Sequence, residues 1–157
     1  MNQQNIQRAH RICWQLALAT FAIPLMFCSP ARADEPIDLT FDDVKFPIEM
    51  NEEFERSKLT PEILKLHGKR IQIRGYIRPS FKQSGIEKFI LVRDNQECCF
   101  GPGAMLYDCM IVSMTKGTST EFTTRPITVE GQFYLKEFEG PDGRLWAIFR
   151  MKTAKVL

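Results

Sequence analysis

Histidine is almost missing from this chain. His10 and His67 are the two in 157 residues, and only His67 lies beyond the N-terminal stretch described below. One histidine without a nucleophile elbow argues against Ser-His-Asp hydrolysis. A phosphate-binding loop is also missing, because Gly101-Pro102-Gly103 lacks the lysine and the following helix that such a loop requires. The chain has no internal repeat, low-complexity tract or long linker. Its longest apolar stretch, positions 12–27, is broken by Gln15 and Pro24 and falls short of the roughly 20 residues that span a bilayer.

That apolar stretch belongs to an export signal. Arg8, His10 and Arg11 form a basic start, the apolar run follows, and Ala31-Arg32-Ala33 supplies the small residues that a signal peptidase accepts. Cleavage is expected between Ala33 and Asp34, releasing a protein that is periplasmic or secreted and has no transmembrane segment. A lipid anchor on Cys28 is disfavoured by the bulk of Phe27 before it.

Cleavage reverses the charge. The full chain carries 21 Lys and Arg against 19 Asp and Glu; losing Arg8, Arg11 and Arg32 leaves 18 against 19, a net charge of −1. The 124 residues left after removing 33 from 157 are enough for one domain with one core. Arg70, Arg74, Tyr76 and Arg78 share one strand face and superficially resemble a basic, aromatic nucleic-acid groove. Export and a negative mature charge argue for a solvated face instead, with no nucleic-acid partner.

Positions 34–58 read as an extended N-terminal arm, acidic, with Phe41, Val44, Phe46, Ile48, Met50 and Phe54 at neither helical nor strand spacing. Its aromatic side chains are expected to pin it to the domain surface. Thr60, Pro61 and Gly68 then supply a cap, a first helical residue and a stop, which predicts a short helix over 61–66. Beyond Gly68 the apolar period changes to two, the signature of strands with one buried face. Five strands are expected, over 70–78, 89–92, 110–114, 127–136 and 144–151, the second covered on both faces. Gly75 and Gly131 mark sharp bends or bulges, and Trp146, Tyr134 and Phe149 are expected to pack the interior. The expected fold of 59–157 is therefore mainly all-β, a small five-stranded OB-like barrel with one short helix. An SH3-like barrel is the alternative, since strand count does not separate them.

The chemistry gathers in a loop over 94–109, between the second and third strands. Cys98 and Cys99 stand together, Phe100, Gly101, Pro102 and Gly103 turn the chain back, and Cys109 closes the loop. A connection this long without its own secondary structure is usually functional. Strand parity places Cys109 and Met110 on opposite faces, so they cannot serve one site.

Three readings compete. Cys109 can bond to Cys98 or Cys99, closing a loop of about ten residues and contributing roughly 2 to 3 kcal/mol. Alternatively the three thiolates bind a soft ion, Zn²⁺ or Cu(I), with Met105 or His67 completing the set. The third reading is thiol-disulfide redox chemistry, which needs a stabilised thiolate. Asp94, Glu97 and Asp108 oppose that, with only Arg93 in its favour. His67, at a helix end, reads first as a surface or capping residue. No catalytic residue is assigned.

The run from Phe89 through Cys98-Cys99-Phe100-Gly101-Pro102-Gly103, with Gly75-Tyr76-Ile77-Arg78-Pro79 before it, resembles a family of exported bacterial proteins classed as a domain of unknown function, number 3299. The resemblance implies export and a compact β domain, and it brings no activity with it. Together these features predict a non-enzymatic binding or accessory protein of the cell envelope, partnered by an envelope or membrane-complex protein. A thiol-redox protein and a structural adaptor of a membrane complex are the alternatives.

Overall fold

Thr60 and Gly68 bracket the first helix, α1 (Pro61–Lys65). The Thr60 hydroxyl accepts from the Ile63 N–H at 3.4 Å, and Gly68 stops the turn with φ +79°. Fully buried Ile63 fixes the helix to the core. The computed structural model describes residues 35–49, 52–94 and 105–157, all within the unit from Ala33 to Leu157. The expected export signal over 1–33, its expected cleavage pair Ala33 and Asp34, Met50 of the arm and loop positions 95–104 lie outside the described residues. Among the described residues no helix is long and apolar enough to cross a membrane.

The remaining regular structure is a six-stranded mixed sheet. Its strands are β1 (Ile37–Leu39), β2 (Arg70–Ile77), β3 (Lys88–Val92), β4 (Cys109–Met114), β5 (Ile127–Glu139) and β6 (Leu145–Val156). β2 pairs with β3, β3 with β4, β4 with β6, β6 with β5, and β5 again with β2, so the hydrogen-bonded ladder returns to its starting strand. The β4/β6 pair is parallel. The first half of β2 is flanked by β5 on one edge and by parallel β1 on the other, with Ile37 opposite Ile71 and Leu39 opposite Ile73.

Alternation along these strands separates two apolar layers. The main core gathers Ile71, Ile73, Leu91, Met110, Val112, Val129, Phe133, Phe149 and Met151. On the other side of the sheet lies a smaller cluster of Val92, Cys109, Ile111 and Ala147, flanked by Tyr76, Ile90 and Phe138. β3 is covered on both faces, Leu91 facing one layer and Val92 the other, as its unbroken apolar run predicts.

Both strand glycines sit where another chain segment leaves no room for a side chain. A Cβ on Gly75 would lie 2.6 Å from the Val92 carbonyl oxygen, and one on Gly131 would lie 2.6 Å from Met151 Cγ and 2.8 Å from the Lys152 carbonyl oxygen. At Gly131 the β5/β6 register also shifts, between Glu130 and Gln132.

Several expectations need correction. There are six strands rather than five, because the arm contributes β1. The arm is not a surface strip: Phe41, Val44 and Phe46 are buried in the main core. Phe46 meets Phe54, Tyr107 and Phe149 edge-on, with ring centroids 5.9, 5.6 and 6.4 Å away. β5 runs past its predicted end because the hairpin keeps pairing up to Glu139 and Leu145 beside the turn at 140–143, and β6 runs on to Val156 because Lys152, Lys155 and Val156 pair with Gln132, Glu130 and Val129 at the start of β5. Trp146 lies outside the main core, half-buried beside Phe138 and over Gly140, its indole N–H donating to Asp142 Oδ1 at 2.9 Å. Tyr134 is also peripheral, whereas Phe149 is fully buried.

Candidate functional site

The two ends of the cysteine loop are tied together at its base. Val92 pairs with Cys109 across the β3/β4 ladder, and one step further the Arg93 N–H donates to the Asp108 carbonyl oxygen at 3.0 Å. Asp108 belongs to a single 3₁₀ turn, Leu106–Asp108. Its carboxylate accepts from the Met105 N–H at 3.3 Å and from the Arg93 guanidinium at 3.4 Å. Arg93 also pairs with Asp42 of the arm, so one guanidinium joins the arm, β3 and the entrance to β4. Tyr107 reinforces this joint: it is buried against Phe46, and Lys45 Nζ stands 5.7 Å from its ring centroid.

Cys109 is 8% exposed and belongs to the smaller apolar cluster. Met110, the next residue, is fully buried in the main core, so the parity argument describes this strand correctly. Met105 also packs against the main core, away from the layer that holds Cys109. His67 is exposed at the end of α1, where its Nδ1 accepts from the Leu135 N–H at 3.2 Å and its ring stands edge-on to Tyr134, 5.4 Å between centroids. Its partner strand β5 is separated from β4 by β6, roughly 10 Å at ordinary strand spacing. The structure thus gathers neither His67 nor Met105 with Cys109. Among the described residues there is no cluster of three His, Cys, Asp or Glu side chains able to hold a metal ion. Cys98, Cys99, Phe100, Gly101, Pro102 and Gly103 lie outside the described residues.

The strand face carrying Arg70, Arg74, Tyr76 and Arg78 is not a uniform basic groove. Arg70 is paired with Glu130, which also receives Lys155 Nζ at 3.0 Å. The hydrogen bond from Lys155, with a further one from Arg70, holds the Glu130 carboxyl below its ordinary value of 4.5 against the opposing effect of burial. Tyr76 leans on the smaller apolar cluster, and Arg78 lies over the Trp146 ring.

Asp42 and Tyr107 are the residues of this joint that sequence reasoning does not single out, whereas Phe46 is among the arm residues it names.

No protein-family model matches this sequence, and no curated protein does. The fold is similar to that of a DUF3299 family protein from Pseudomonas aeruginosa PAO1, known from a crystal structure. The two share a TM-score of 0.55 at 18% sequence identity, over 78% of this chain and 97% of that one. At that identity the likeness speaks for the fold alone: a small, mostly β domain with one helix.

Proposed function

We propose that this chain is an exported, non-enzymatic accessory protein of the cell envelope, whose loop over 94–109 is locked by a disulfide from Cys109 to Cys98 or Cys99. The observation that carries the reading is the position of Cys109. It sits buried at the base of that loop, directly across the ladder from Val92, and the neighbouring Arg93–Asp108 bonds hold both ends of the loop beside it. A cross-link there closes a short loop onto a rigid strand, which is the arrangement in which loop-closure entropy stabilises. The redox reading gains nothing from Arg93, whose charge is already shared between Asp42 and Asp108. A soft-metal site on the three cysteines, completed by Met105 or His67, is the second reading, with His67 Nδ1 already accepting from the Leu135 N–H.

The finer fold assignment belongs to the same reading. We assign β2–β6 to an OB-type barrel, supported by the ladder order β2-β3-β4-β6-β5-β2 and by the parallel β4/β6 pair.

Thiol titration, metal analysis and thermal melts on the full chain and on its Cys98→Ser, Cys99→Ser and Cys109→Ser variants test the loop chemistry. The disulfide predicts that Cys109→Ser costs about 2 kcal/mol or more, while one of the two vicinal changes is nearly silent. About one equivalent of Zn²⁺ or Cu(I), weakened by loss of any cysteine, would replace the disulfide with a metal site. Three reactive thiols, no metal and unchanged melting in every variant would end both readings.

A further inference from the structure

Three cations converge on two aromatic rings on the outer face of the sheet, above the smaller apolar cluster. Arg78 Cζ stands 5.3 Å from the Trp146 ring centroid, and Phe138 is approached by Lys88 Nζ at 5.7 Å and by Arg150 Cζ at 5.3 Å. The two rings are themselves 6.4 Å apart, edge to face. Beneath them lie Ile90, Val92, Ile111 and Ala147. Among the described residues none of the three cations forms an ion pair. Arg150 donates instead to the carbonyl oxygens of Lys136 and Glu137, at 3.3 and 3.0 Å. Asp142 touches the patch, but its Oδ1 accepts from the Trp146 indole and the Arg144 N–H.

Elsewhere on the sheet Arg70 and Lys155 share Glu130 and Arg93 is held by Asp42 and Asp108, while Lys152 lies over the Tyr134 ring. Among the described residues, three neighbouring cations without an ion-pair partner over an apolar floor make a local positive field. The connection beyond β2 adds an apolar feature: Phe81, three residues past Arg78, is fully exposed.

We propose that this face docks an acidic segment of a partner protein, carboxylates meeting Arg78, Lys88 and Arg150 while an apolar side chain of the segment rests against Phe81 and the rim of the cluster. A single-stranded nucleic acid fits less well. Bases need open aromatic faces on which to stack, and here cations already lie over both rings. The proposal rests on the accessory-protein reading but not on the chemistry of the cysteine loop.

The test is a fluorescence-anisotropy titration of the full chain against a short labelled peptide that alternates Glu with Phe and Leu. The same peptide with Gln in place of Glu, and an oligothymidylate, serve as competitors. Expected is saturable binding that weakens as salt rises, falls about tenfold in the Arg78→Glu/Lys88→Glu double variant, falls measurably in Phe81→Ser, and is unchanged in Lys65→Glu, on α1 and the main-core side. Thermal melts accompany each variant; should the double variant unfold early, Phe81→Ser and the salt dependence of the unaltered chain decide the matter. No saturation, equal binding of the Gln peptide or the oligothymidylate, or indifference to both sets of substitutions overturns the proposal. Such a failure leaves export and the loop disulfide standing, whereas a chain retained in the cytoplasm with residues 1–33 sinks the accessory reading without touching the titration.

Discussion

Glu130 shows how a single side chain couples this sheet to pH. It is buried between two cations, and its carboxyl is held below the ordinary value of 4.5 chiefly by the hydrogen bond from Lys155. A carboxyl depressed in the folded state contributes stability that is fully present above its unfolded value and is lost as pH falls through the folded one. The Glu130→Gln variant is therefore expected to unfold more readily than the parent at neutral pH, with the gap closing as pH drops below about 4.5. Denaturant midpoints measured across that range check it, and a gap that widens on acidification would contradict the assignment. Gly131, next in sequence, gives a steric counterpart. An added methyl must displace Met151 and the Lys152 carbonyl, so Gly131→Ala is expected to cost about 1 to 3 kcal/mol by the same measurement.

Among the elements, the arm departs furthest from its reading. The sequence discloses α1 and the five long strands because their periodicity and turn residues are local, and it discloses the opposite facing of Cys109 and Met110 because strand parity is local too. It does not disclose β1, the burial of Phe41, Val44 and Phe46, or the distance of His67 from Cys109, since these depend on what segments tens of residues away provide. Trp146 departs only partly for that reason: Arg78, just past β2, is distant in sequence, whereas Phe138 and Asp142 are near. Burial gives the arm a measurable weight. Phe46→Ala is expected to cost about 3 to 5 kcal/mol in chemical denaturation, as for a core aromatic, where a surface strip would lose well under that. Arg93→Ala removes the tie among arm, β3 and β4 and is expected to cost about 1 kcal/mol or slightly more, because it leaves Asp108 with fewer partners at low exposure. Melting of the two variants at one pH distinguishes the contributions.

On the scale of the whole molecule, the ladder that returns to its first strand joins consecutive strands at β2/β3, β3/β4 and β5/β6 but is closed by strands far apart in sequence. β1 waits for β2, β2 for β5, and β4 for β6, while Phe46 of the arm meets Phe149 near the C-terminus. Such long-range pairing makes folding slow relative to a chain rich in local contacts. No early portion of the sequence holds a complete core of its own, so the native fold cannot close until β6 is available. Under the export proposed above, that dependence has a use: it keeps the polypeptide open and threadable until β6 has been made.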